Sequence, residues 1–167
     1  MRAWTEDSAF DARITPLKDA LWHELIPQVR TVERSKGDIL DQTYHIDAAL
    51  VLGNGSRLTV QEKFRRSDAM RYDNITVEYY QDYRTRERGE FFQLCSQLYL
   101  YGVVSQDESR VERLILIRVA DWMLSMADMT EAEIRRKWQV CNDDRSRASF
   151  LAIPVKQIDP QCIVRIR

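Results

Sequence analysis

Glycine and proline are scarce, with 5 and 4 residues in 167, and this excludes collagen-like, linker-dominated and low-complexity chains. Cysteine is scarcer still. Cys95, Cys141 and Cys162 are odd in number and widely spaced, so they build neither a disulfide framework nor a paired-cysteine zinc knuckle, and a reducing, cytoplasmic compartment is expected. There is no long hydrophobic run: the longest uncharged stretch, 91–106, is too short and too polar to span a bilayer. The first seven residues are charged where a signal peptide would turn apolar. No membrane partner is expected.

A surplus of one charge is also missing. Twenty-five Lys and Arg face 26 Asp and Glu, for a net charge of -1, which excludes a chain that grips nucleic acid through a positive field over its whole surface. Any such contact must be a local patch. Walker loops, GxGxxG, HExxH and nucleophile elbows are absent too, so nucleotide-dependent, zincin and serine-hydrolase chemistry have no foothold.

What is present is the composition of a globular domain, 44% apolar and 31% charged. The length suits one core, since single domains run to roughly 100–200 residues, and no linker or repeat divides it; residues 1–167 are expected to form a single domain. Thr15-Pro16 suits a helix start, with Leu17, Ala20, Leu21 and Leu25 recurring at helical spacing, so a first helix is expected over 16–25. Residues 43–52 are rich in strand formers, and Gly53-Asn54-Gly55-Ser56 supplies a tight hairpin into a return strand, Arg57 to Arg65. Alternation on that strand puts Leu58, Val60 and Phe64 on one face and Thr59, Gln61, Lys63 and Arg65 on the other. A third strand is expected at 74–80, a helix at 89–97, a buried strand from Val111, a helix at 130–140 opened by a Thr130–Glu133 capping box, a strand at 149–154 and a short tail from Ile163. The fold class is α/β (α+β), a central mixed sheet with helical cover.

One position stands out. Asp47 lies between Ile46 and Ala48 in an apolar strand, where a carboxylate without a partner costs desolvation. Across the turn, Gln61 and Lys63 lie two apart on one face, so a carboxylate, an amide oxygen and an ammonium are expected to converge. That is the minimal kit for metal-assisted phosphodiester hydrolysis: oxygen ligands hold a hard cation, the cation polarises phosphoryl oxygen and water, and a lysine orients the water or stabilises developing charge. The carbonyl of Glu62 is a further oxygen donor. The competing structural account is an ion pair between Asp47 and Lys63 on adjacent strands.

His45-Ile46-Asp47, the hairpin and Val60-Gln61-Glu62-Lys63 together resemble the PD-(D/E)XK nuclease superfamily in its QxK variants, over about residues 41–65. The resemblance implies a restriction-endonuclease-like αβββαβ core and a Mg²⁺- or Mn²⁺-dependent nuclease acting on nucleic acid, DNA ahead of RNA. It makes Asp47 the metal-binding aspartate, Gln61 the occupant of the second acidic position and Lys63 the catalytic lysine, with Glu24 first and Glu33 second as candidates for the glutamate such proteins often draw from their first helix. Arg65 and Arg66, directly after Lys63, are the expected phosphate contacts, and His45 a substrate-contacting group; a homodimer would let so small a nuclease reach both strands. Gln61 departs from the motif by being neutral, which keeps open an inactive nuclease-like module that serves as a nucleic-acid- or protein-binding scaffold.

Overall fold

The computed structural model describes residues 2–35, 37 and 44–167. Its first element, α1 (Arg2–Leu25), runs 24 residues with Pro16 inside it, so the helix does not begin at Thr15-Pro16. Phe10, Ile14, Leu21 and Trp22 continue one apolar stripe through the proline and are all buried, and that burial outweighs the backbone hydrogen bond Pro16 cannot make. Pro16 sits on the exposed side, and the Thr15 hydroxyl donates to the Asp11 carbonyl at 2.8 Å.

A six-stranded mixed sheet lies against α1. Its strands are β1 (Val29–Arg34), β2 (Ala48–Leu52), β3 (Arg57–Arg65), β6 (Leu98–Val104), β7 (Val111–Arg118) and β10 (Ile163–Ile166), in the spatial order β1-β2-β3-β6-β7-β10. Only the β3–β6 pair is parallel. The hairpin from β2 to β3 turns at Gly55, whose φ of 85° suits glycine, and Asn54 Oδ1 accepts the Ser56 N–H at 2.9 Å. β2 begins at Ala48; of the strand expected from 43, Thr43 lies outside the described residues. The tail from Ile163 is the edge strand β10, paired with β7.

Helices alone do not cover the other face. A second, antiparallel sheet in the order β5-β4-β9-β8 does most of that work, built from β4 (Asn74–Asp82), β5 (Glu87–Arg88), β8 (Gln139–Asn142) and β9 (Ser149–Pro154). Two short helices, α2 (Val119–Leu124) and α3 (Glu131–Lys137), add Trp122 and Ile134 to the same core. α3 starts with the expected capping box of Thr130 and Glu133. The helix expected over 89–97 is reduced to a 3₁₀ turn at Glu90–Phe92. Phe91 and Phe92 are drawn onto Tyr79, with ring centroids 5.8 and 4.8 Å away, and Gln97 is held extended against β3, its N–H on the Thr59 carbonyl and its Oε1 on the Thr59 N–H.

β6 therefore lies between two cores, and all seven of its residues are buried. Tyr99, Tyr101 and Val103 face the second sheet; Leu98, Leu100 and Val104 face α1. Gly102 on the α1 side is required by contact with Phe64: a Cβ there would lie 2.4 Å from Phe64 Cε1. Gly102→Ala is expected to lower unfolding free energy by about 1–3 kcal/mol in urea denaturation, and Phe64→Leu in the same chain to recover part of that loss. An alanine tolerated without cost would show that the ring swings aside freely.

Candidate functional site

Asp47, one residue before β2, is not a regular strand residue. Its N–H donates to the Val60 carbonyl and its carbonyl accepts the Ser35 N–H, both at 2.9 Å; the two groups turn to opposite neighbours, where those of a regular strand residue turn the same way. Register with β3 ends at Ala48↔Val60, so β3 runs on to Arg65 without β2 beside it. The Asp47 carboxylate meets that open edge, its Oδ2 accepting the Glu62 N–H at 2.6 Å. It lies between the faces of the sheet rather than on one. Burial pushes its carboxyl up to about 7; the charges of Glu62 and Glu90 add to this, while the Glu62 N–H and Lys18 oppose it.

The row expected on β3 is present. Lys63 Nζ lies 5.6 Å from the centre of the Phe150 ring on β9, and Gln61 lies beside Glu90, so both face the second sheet. Asp47 meets β3 at the Glu62 N–H between them, through the strand edge and not through strand alternation. No ion pair links Asp47 to Lys63 among the described residues.

Glu62 points the other way, into the α1 face, with its side chain 1% exposed. Lys18 Nζ at 2.9 Å, Arg34 Nη1 at 2.6 Å and Trp22 Nε1 at 2.5 Å all meet its carboxylate. Burial alone would raise its pKa, but Lys18 and Arg34 together hold it below the usual glutamate value. Its side chain is thus committed to structure, and its N–H to Asp47.

Glu24 is not brought to this group. Its exposed carboxylate pairs with Arg167 at 2.8 Å, because the inward face of α1 carries Ile14, Lys18, Leu21 and Trp22 and Glu24 lies off it. His45 has left the strand, with φ at 50°, and its Nε2 lies 3.1 Å from Gln93 Oε1. Lys63, Arg65 and Arg66 line a cleft of about 590 Å³ at the open end of β3, together with Phe10, Thr76 and Phe150; neither Asp47 nor Gln61 lines it. Arg65 reaches Thr76 Oγ1 at 3.4 Å, and Arg66 pairs with Asp7 at 3.1 Å and lies over the Phe10 ring.

Two carboxylates join the site that the hairpin motif did not contain. Glu78, on β4, is half-buried near Lys63, His45 and Glu90; burial raises its pKa and Lys63 opposes the rise. Glu90, in the 3₁₀ turn, is 5% exposed. Burial raises its pKa as well, against the pull of Lys63, His45, the Glu78 backbone and Gln61. Its Oε1 and the Oε1 of Gln61 are both buried without a hydrogen-bond partner. Gly89 allows this approach, since a Cβ there would lie 2.9 Å from Glu78 Cγ. In sequence, Gly89-Glu90-Phe91-Phe92 carries no signal of a buried carboxylate; only the fold brings it under β3.

Among the described residues, no three His, Cys, Asp or Glu side chains form a group able to hold a metal ion. Any cation here would have to use the amide oxygen of Gln61 as well as carboxylate, and that unpartnered oxygen is of the type a hard divalent ion accepts. No described helix is long and apolar enough to cross a membrane. No family model matches the chain, and no curated protein matches its sequence.

Proposed function

We propose that the protein is a divalent-metal-dependent phosphodiester hydrolase of nucleic acid, DNA ahead of RNA, built on a restriction-endonuclease-like core. One observation carries this reading: β2 begins only at Ala48, opposite Val60, while β3 continues beyond it, so the carboxylate of the preceding Asp47 caps the open strand edge at Glu62, between Gln61 and Lys63. The order helix, three antiparallel strands, crossover and parallel strand also agrees with an αβββαβ core, although here the crossover carries β4 and β5 in place of a helix. Asp47 and Gln61 would hold Mg²⁺ or Mn²⁺, and the ion would supply Lewis-acid activation of phosphate and water. Lys63 lines the cleft and would stabilise charge on a phosphate there, and Arg65 and Arg66 would hold neighbouring phosphates.

Incubated with Mn²⁺ and labelled single- or double-stranded DNA or RNA, the protein is expected to cleave, and Lys63→Ala to slow cleavage at least about a hundredfold, on the scale of losing one charge-stabilising donor. Cleavage unchanged in Lys63→Ala would remove the mechanism. The neutral Gln61 favours a second reading, a nuclease-like module that binds without turnover. Retained nucleic-acid binding without cleavage in Mn²⁺ would select it.

A further inference from the structure

Building on that reading, we infer that Glu90 supplies the second negative charge of the cation site, replacing the acid that position 61 lacks. The argument starts from two oxygens. Gln61 Oε1 and Glu90 Oε1 are each buried and each without a hydrogen-bond partner, on residues 8% and 5% exposed. While Glu90 is ionised both atoms are acceptors and neither satisfies the other, even though the Gln61 side chain also hydrogen-bonds the Glu90 carboxylate; each unpartnered oxygen is open to a proton donor or a cation.

The turn that carries Glu90 is fixed. Gly89 donates to the Tyr79 carbonyl at 2.9 Å, Gln93 donates to the Glu90 carbonyl at 2.9 Å, and Gly89 packs directly on Glu78. Phe91, in the same turn, is buried in the core. The Glu90 carboxylate is thus carried inward on a restrained turn, 5% exposed. Lys63 and His45 are the basic side chains that act on Glu90, but the Lys63 ammonium also lies over Phe150 and on the wall of the cleft, where it is open to a phosphate. An oxygen-seeking divalent ion taken up by Glu90 and Gln61, with Asp47 at the neighbouring strand edge, would answer both unpartnered oxygens at once. It also explains why a neutral residue is tolerated at position 61: the charge has moved to a different segment of chain while the amide still offers an oxygen.

The test is Mn²⁺ binding to the full chain, followed by calorimetry and by the electron paramagnetic resonance signal of free ion. Glu90→Gln is expected to weaken Mn²⁺ binding at least about tenfold, while Glu24→Gln leaves it unchanged. The double variant Glu90→Gln/Gln61→Glu, which returns the charge to β3, is expected to recover most of the affinity; a purely structural role for Glu90 would give no such recovery. Thermal melts in EDTA establish that each variant is folded. Wild-type affinity in Glu90→Gln, or no Mn²⁺ binding by the wild type, overturns the inference. Mn²⁺ binding that depends on Glu90 without any cleavage leaves the inference standing and removes the hydrolase reading. Cleavage with affinity unchanged in Glu90→Gln does the reverse.

Discussion

Replacing Glu62 by alanine is expected to lower the unfolding free energy by about 3–5 kcal/mol, the usual consequence of removing one partner from a buried charge network. The side chain is 1% exposed and meets Lys18, Arg34 and Trp22 at hydrogen-bond distance. Its loss leaves Lys18, itself buried, with Asp11 at 2.7 Å as its remaining carboxylate, and Arg34 with Asp19 at 2.5 Å. The indole N–H of Trp22 loses its acceptor. Those costs exceed the relief of leaving one carboxylate in water. Because the folded pKa of Glu62 is depressed, its contribution is complete above the ordinary value of 4.5 and fades as the pH falls through the lower folded value. Urea denaturation should therefore show wild type and variant well separated near neutrality and converging in acid. A triple replacement, Lys18→Met, Arg34→Leu and Glu62→Leu, is expected to recover much of the loss, since apolar groups of similar volume need no partners. A variant as stable as wild type would show that water reaches the Lys18 ammonium directly.

The local parts of this fold were legible from the chain, and the non-local parts were not. Arg57 to Arg65 and Ser149 to Pro154 have the strand bounds that alternation and turn residues indicate, and Thr130 with Glu133 marks a helix start by itself. The extent of α1 was hidden because proline at position 16 is also what a helix start would carry; Phe10 and Ile14 belong to the helix through contacts with strands far along the chain. The second sheet was invisible for the same reason. β4 pairs with β9, Ile75 opposite Ile153 and Val77 opposite Leu151, and neither strand alone indicates its partner.

The site divides along the same line. Gln61 and Lys63 share a face because a regular strand imposes a period of two, and Glu62 faces away for the same reason. Asp47 escapes that rule, since its backbone groups turn to two different strands; only its hydrogen bond to the Glu62 N–H reveals that the carboxylate sits on the strand edge. Glu24 failed as a candidate because a helix places just one face inward, and which one depends on packing. Glu90 reaches the site through the β4–β5 excursion, which no spacing in the sequence encodes.

Asp47→Asn is expected to stabilise the metal-free protein by about 2–4 kcal/mol at about pH 8 and to leave it nearly unchanged at about pH 4, because a carboxyl raised in the folded state from 3.8 to about 7 is destabilising once ionised. For a group shifted upward, stability is full below the unfolded value and is lost as the pH rises through the window between the two. The wild type should therefore weaken between about pH 4 and 7 in EDTA, and the asparagine variant should lack that component of the slope. The amide keeps an oxygen for the Glu62 N–H, so the strand edge stays capped, and it removes the repulsion from Glu62 and Glu90. If the carboxylate is there to hold a cation, the same substitution abolishes Mn²⁺ binding and cleavage while the fold becomes more stable, the signature of a residue retained for chemistry at the expense of stability. Were Asp47→Asn instead to destabilise the chain equally at both pH values, the carboxylate would be a structural cap on β3, and the proposed site would lose its first ligand.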